Sequence, residues 1–104
     1  DVLVALESRI NQYETCKKGD VVLLKDGHAV KAGKIAQHLM LAGVPLSLVH
    51  PWTLVRRVAN TEMSIWSTSA DAELWQTTDI LAAIEHTTFD DGHVGILMPL
   101  RYRA

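Results

Sequence analysis

The stretch Gly33–Arg57, GKIAQHLMLAGVPLSLVHPWTLVRR, holds the longest apolar run in the chain, its one His-Pro-Trp, and the paired Arg56 and Arg57. How it folds decides the fold of the whole. As a helix over 32–42, Ala32, Ile35, Ala36, Leu39 and Met40 recur at helical spacing in a segment rich in helix formers, and Gly43 becomes the residue just past its end. As a strand, Ile35, Gln37, Leu39 and Leu41 fall on one face and Ala36, His38 and Met40 on the other. Ala42-Gly43 is then the turn, and Leu46, Leu48 and His50 share one face of the return strand.

The neighbours favour the strand. Asp20 opens the aliphatic run Val21-Val22-Leu23-Leu24, and Asp26-Gly27 follows it, a dipeptide suited to a tight hairpin turn. The tripeptide Asp-Gly-His returns at Asp91-Gly92-His93. Ile80, Ala82, Ile84 and His86 alternate before it, and Val94, Ile96, Met98, Leu100 and Tyr102 alternate after it. That pattern predicts a second hairpin, with strand over Ile80 to Thr88. Thr61 to Thr68 alternates too, with Met63 and Ile65 opposite Ser64 and Trp66. Pro45 suits an edge or first strand position, Pro51 should bend the strand before Trp52, and Pro99 implies an edge or a bulge. Ahead of all this, Leu3, Leu6, Ile10 and Tyr13 follow a 3-4-3 spacing that predicts an N-terminal helix over 1–14. Three turns of helix are marginal alone, so the stripe must pack on its own domain or on another subunit.

At 104 residues, 48% hydrophobic and 21% charged, the chain makes one globular domain, with the helix over 1–14 and a β-rich body over 19–103. No run is long enough to span a membrane as a helix. The single Cys16 excludes an internal disulfide and fits a cytoplasmic protein. The first residue is Asp, which fits a trimmed chain or a piece of a longer one. The net charge of −2 is unevenly spread. Residues 15–60 carry +5, from Lys17, Lys18, Lys25, Lys31, Lys34, Arg56 and Arg57 against Asp20 and Asp26. Residues 61–104 carry −5, from seven acids against Arg101 and Arg103. Such a split suggests a polarised surface or subunits that face each other. A pI near 6.2 argues against general affinity for nucleic acid.

Between residues 19 and 97 the pattern resembles a BAH domain or a related SH3-like barrel. Gly19-Asp20-Val21-Val22-Leu23 is similar to the opening strand, and Ala32-Gly33-Lys34-Ile35-Ala36 to the strand after the first turn. Trp52 with Arg56 and Arg57 resembles the Trp-plus-Arg strand. Glu73-Leu74 through Asp79-Ile80, and then Gly92 to Leu97, resemble a Glu-led turn and the closing strands. The chain is short for that family and Pro51 interrupts its Trp strand, so no methyl-lysine cage carries over. The resemblance implies a mainly β fold: a small antiparallel SH3-like or BAH-like barrel, here with an N-terminal helix. An α+β fold with a helix at 32–42 is the alternative. It also implies a peptide- or protein-binding module.

No residues form a catalytic motif. Ser64, Ser67 and Ser69 lie in no nucleophile elbow, and Gly33 and Gly95 form no phosphate cradle. Five histidines (His28, His38, His50, His86, His93) include no metal-ligand spacing. Asp26/His28 and Asp91/His93 coincide with turns, where Asp and Gly serve the backbone. No metal or cofactor is expected. Trp52, Trp66 and Trp75 are half of the six aromatics, and Trp66 and Trp75 flank a Ser-Thr-Ser loop. With Arg56 they form the candidate binding platform. Leu3, Leu6, Ile10 and Tyr13 form the candidate interface. The reading is a non-enzymatic binding module for protein or peptide, assembled as a homo-oligomer, with no membrane partner. One alternative is nucleic-acid binding through the basic segment 17–57 and the tryptophans. Another is a small enzyme or metalloprotein using His28 and His93.

Overall fold

The computed structural model describes residues 2–5, 7–11, 14–99 and 102, and in them the chain is mainly antiparallel β. The strands are β1 (Val2–Ala5), β2 (Glu7–Arg9), β3 (Thr15–Lys17), β4 (Val21–Asp26), β5 (Ala29–Leu41) and β6 (Val44–Pro51). After them come β7 (Thr53–Arg57), β8 (Met63–Ser67), β9 (Glu73–Gln76), a 3-10 turn at Thr77–Asp79, β10 (Ile80–Ala83), β11 (Thr87–Thr88) and β12 (Val94–Leu97).

The favoured strand over 32–42 holds, and the alternative helix there does not: Ala32 to Leu41 form the middle and end of the 13-residue β5, and Ala42 begins the turn. The N-terminal helix is absent: Val2–Ala5 and Glu7–Arg9 are strands, and Leu6 and Tyr13 lie outside the described residues. A pairing partner far along the chain overrides the helical spacing. Val2, Leu3, Val4 and Ala5 lie opposite Leu41, Met40, Leu39 and His38. The β-branched Val2 and Val4 suit a pleated ribbon better than a helix.

β5 is the spine of the larger sheet, ordered β10-β4-β5-β6-β9. Its first half pairs with β4 and its last four residues pair with β1 along the same edge, while β6 runs along the other. A bulge at Ala36, between Ile35 and Gln37, shifts the side-chain alternation by one. Before it, Ala32 and Lys34 share the front face. After it, Gln37, Leu39 and Leu41 do, while Ile35 and His38 point to the back. Ile35 is thus parted from the Gln37-Leu39-Leu41 row in which a regular strand would place it.

The front face of the β4–β5 end is covered by a four-stranded sheet, β11-β12-β8-β7. Between the two sheets pack Val21, Leu23, Ala32, Trp52, Trp66, Val94, Ile96 and Met98. On the back, the β2–β3 ribbon covers Val22, Leu24, Ile35, Val49 and Ile80 with Ile10 and Cys16. All four residues Val21–Leu24 are therefore buried, alternately in front and behind. Among the described residues no pairing closes either sheet into a barrel. The single strand expected over Ile80 to Thr88 is split: β10 joins the larger sheet and β11 the smaller one. Both Asp-Gly turns and the Ala42-Gly43 turn close hairpins.

Candidate functional site

Three places on the molecule could carry function: a buried polar chain behind β5, a cleft beside Trp52, and an uncovered apolar face.

The polar chain runs Cys16–His38–Ser47–Thr77. Cys16 Sγ lies 3.3 Å from His38 Nε2, His38 Nδ1 lies 2.7 Å from Ser47 Oγ, and Ser47 Oγ lies 2.8 Å from Thr77 Oγ1. All four residues are buried. A Cys beside a His has the outline of a nucleophile and its base, but the electrostatics oppose that role. Burial first, then Asp20 and Glu14, push the thiol up to about 12. Burial holds His38 below its ordinary value, despite its bond to Cys16 and the field of Asp20. A protonated thiol and a neutral imidazole make no thiolate nucleophile. Either donor order along the chain satisfies every group, and no buried side-chain polar atom is left unpaired among the described residues. The chain is a structural bolt joining β3, β5, β6 and the 3-10 turn.

The cleft lies where the front face passes from under the smaller sheet. Lys34 and His50 are direct cross-strand partners, and one step along the same face Trp52 lies beside Ala32, donating its backbone N–H to Ala32 O at 2.9 Å. His50 Nδ1–H donates to Asp71 O at 2.9 Å, which fixes the ring. Lys34, His50 and Trp52, with Val21, Val94 and His86, line a cavity of about 510 Å³. Among the described residues no carboxylate lines it.

The uncovered face is the continuation of that front face beyond the bulge. The registers place Val2 and Val4 of β1, Leu39 and Leu41 of β5, Val44, Leu46 and Leu48 of β6, and Leu74 of β9 side by side. Val2 is 57% exposed, Val4 61% and Leu74 52%. Among the described residues only Gln37 and Gln76 interrupt this aliphatic surface, and neither is charged. The sequence contained the signal, two alternating apolar rows around Ala42-Gly43. It did not say which face would be left uncovered.

The expected platform is dispersed. Trp52 and Trp66 are both buried in the core between the sheets, where Trp66 Nε1–H donates to Ser64 Oγ at 2.8 Å. Trp75 packs behind β5 and donates its Nε1–H to Glu73 Oε1 at 2.9 Å. Arg56 is exposed on β7, beside a different hollow lined by Phe89, Asp90, Asp91 and His93. Of the platform only Trp52 reaches the cleft. Leu3 is 68% exposed, on the opposite face of β1 from Val2 and Val4, whereas Ile10 is buried in the rear core.

The basic residues form no single stripe. Lys25 and Lys31 sit near the β4–β5 turn, Lys31 pairing with Asp26 at 2.7 Å, while Lys34 lies at the other end of that ladder. His28 occupies that same turn, and His93 is held by the Asp91 carboxylate of its own loop at 2.9 Å. The backbone N–H and ring of His93 hold the Asp91 carboxyl below its ordinary range. Among the described residues no three His, Cys, Asp or Glu gather as a metal cage, and no helix is long and apolar enough to cross a membrane. Comparison with protein-family models, with curated proteins and with solved structures finds no match for this chain.

Proposed function

We propose that this protein is a non-enzymatic binding module that works by protein contact, and that its first partner is a second copy of itself. The uncharged aliphatic face carries the proposal. Four strands about 4.8 Å apart, over a length of about 17 Å, give it a footprint of roughly 300 Å². An apolar patch of that order matches the largest patch on a typical monomer, which is often functional. A two-fold contact sets a surface against itself, so a charge near the axis would meet its like. Here only aliphatic groups and two amides meet. Two such faces can pack as the layers of a sandwich, about 10 Å apart. The area is small for a permanent dimer, so the expected affinity is micromolar.

The relation to SH3-like or BAH-like barrels belongs to the same reading. It is supported by the β4–β5–β6 meander and by the way the smaller sheet packs over one end of it. The cytoplasm suits the lone buried thiol.

The test is solution mass by light scattering at about 100 µM, far above a micromolar Kd. The full chain should be a dimer. The double variant Val44→Lys, Leu74→Lys changes two exposed side chains, so it should be a folded monomer with an unaltered circular dichroism spectrum. A monomeric wild type, or a variant that stays dimeric, overturns the proposal.

A further inference from the structure

The geometry of the cleft points to a second site: we propose that it binds a carboxylate carried on an apolar body. Trp52, Val21 and Val94 supply an apolar floor. Among the described residues, Lys34, His50 and His86 are the titratable groups that line it, and no carboxylate does. An anion entering there meets the Lys34 ammonium with no acid on the described lining to repel it. Lys34 is exposed and joins no ion pair among the described residues. Its ammonium is therefore available, unlike that of Lys31, which Asp26 occupies. Lys34 and His50 stand directly opposite each other, with Cβ atoms about 5 Å apart, so a carboxylate on the ammonium lies against the imidazole, whose Nε2 donates to it when the ring is protonated. Because His50 Nδ1–H is committed to Asp71 O, the ring is held in place before a ligand arrives. A second hollow shares Lys34 and His50 and adds Lys18, extending the positive field along the same rim.

A cavity of about 510 Å³ has room for one amino-acid-sized group, within the usual range for a small-molecule pocket. The chemistry fits two sources: the C-terminal residue of a polypeptide, or a free amphiphilic acid. Both present a carboxylate to the Lys34–His50 pair and an apolar tail to Trp52.

The site is independent of self-association, and the experiment keeps the two apart. Amide and indole NMR signals are followed while acetyl-Gly-Gly-Leu, its C-terminal amide, or hexanoate is added. The expected result is a shift of the Trp52 indole and Gly19 amide signals with one or both acids, and binding about tenfold weaker for the amide. Lys34→Gln, a change at an exposed strand position, should weaken the acids about tenfold and leave the amide unchanged. Tighter binding of the peptide assigns a polypeptide terminus, and tighter binding of hexanoate a free acid. Equal binding of acid and amide, undiminished binding in Lys34→Gln, or no shift with either acid overturns the site. The Val44→Lys, Leu74→Lys variant should bind the acids as the wild type does, whatever its mass.

Discussion

At the scale of single residues, the buried Cys16–His38–Ser47–Thr77 chain ties stability to pH. His38 is held neutral in the folded state below its ordinary value of 6.5. On acidification the unfolded chain takes up a proton near that value while the folded chain does not. Stability therefore falls as pH drops below about 6.5, and this loss ends once pH passes the depressed folded value. Urea midpoints from pH 7.5 down to 5 should decline more steeply for the wild type than for His38→Gln; parallel profiles would refute the assignment. Two glycines make a second contrast. A Cβ on Gly33 would stand 2.7 Å from both His50 O and Val49 Cγ1, one of them backbone. A Cβ on Gly95 would meet Phe89 ring atoms at 2.9 and 3.0 Å and Met63 Sδ at 3.0 Å, all in side chains that can turn away. Gly33→Ala should cost about 1–3 kcal/mol by chemical denaturation, and Gly95→Ala distinctly less.

At the scale of elements, the β5–β6 hairpin turns on Ala42 and Gly43, at φ 51° and 81°. Two consecutive residues in the left-handed region make a type I′ turn, for which Asn-Gly is the preferred pair and Ala the strained one. Ala42→Asn should stabilise the protein by about 0.5–1 kcal/mol in thermal melts. A neutral or destabilising result would mean the turn relaxes in solution. Turns were the most legible part of the chain. Asp26-Gly27, Ala42-Gly43 and Asp91-Gly92 each announce a hairpin by local chemistry alone. The Val94-Ile96-Met98 alternation likewise read true, all three packing into the core between the sheets. The N-terminal segment misled because its strand exists only through pairing with Leu41 to His38, which local spacing does not encode. Of the candidate site, Trp52 was singled out from the sequence, while His50 stood only as one of five histidines on alternating strand positions. Their conjunction with Lys34 was not legible, since it depends on the β5–β6 register.

At the scale of the whole molecule, the chain is long and narrow, with extents of 47 × 28 × 21 Å. One end is sealed by two cores, and the other extends as a ribbon of β1, β5 and β6 whose front is bare. Light scattering on the wild type and on Val44→Lys, Leu74→Lys is therefore a test of this architecture as well as of the proposed partner. Ala36 is one residue of β5 that β6 does not match. In genetic terms it reads as a one-codon insertion that the fold tolerates: its loss would keep the reading frame and join Ile35 directly to Gln37 in a regular ladder. Leu39 and Leu41 would stay in front and His38 behind, opposite the partners they already have. Deleting this codon should therefore leave both the bolt and the bare face in place, a tolerance that few positions inside a strand share.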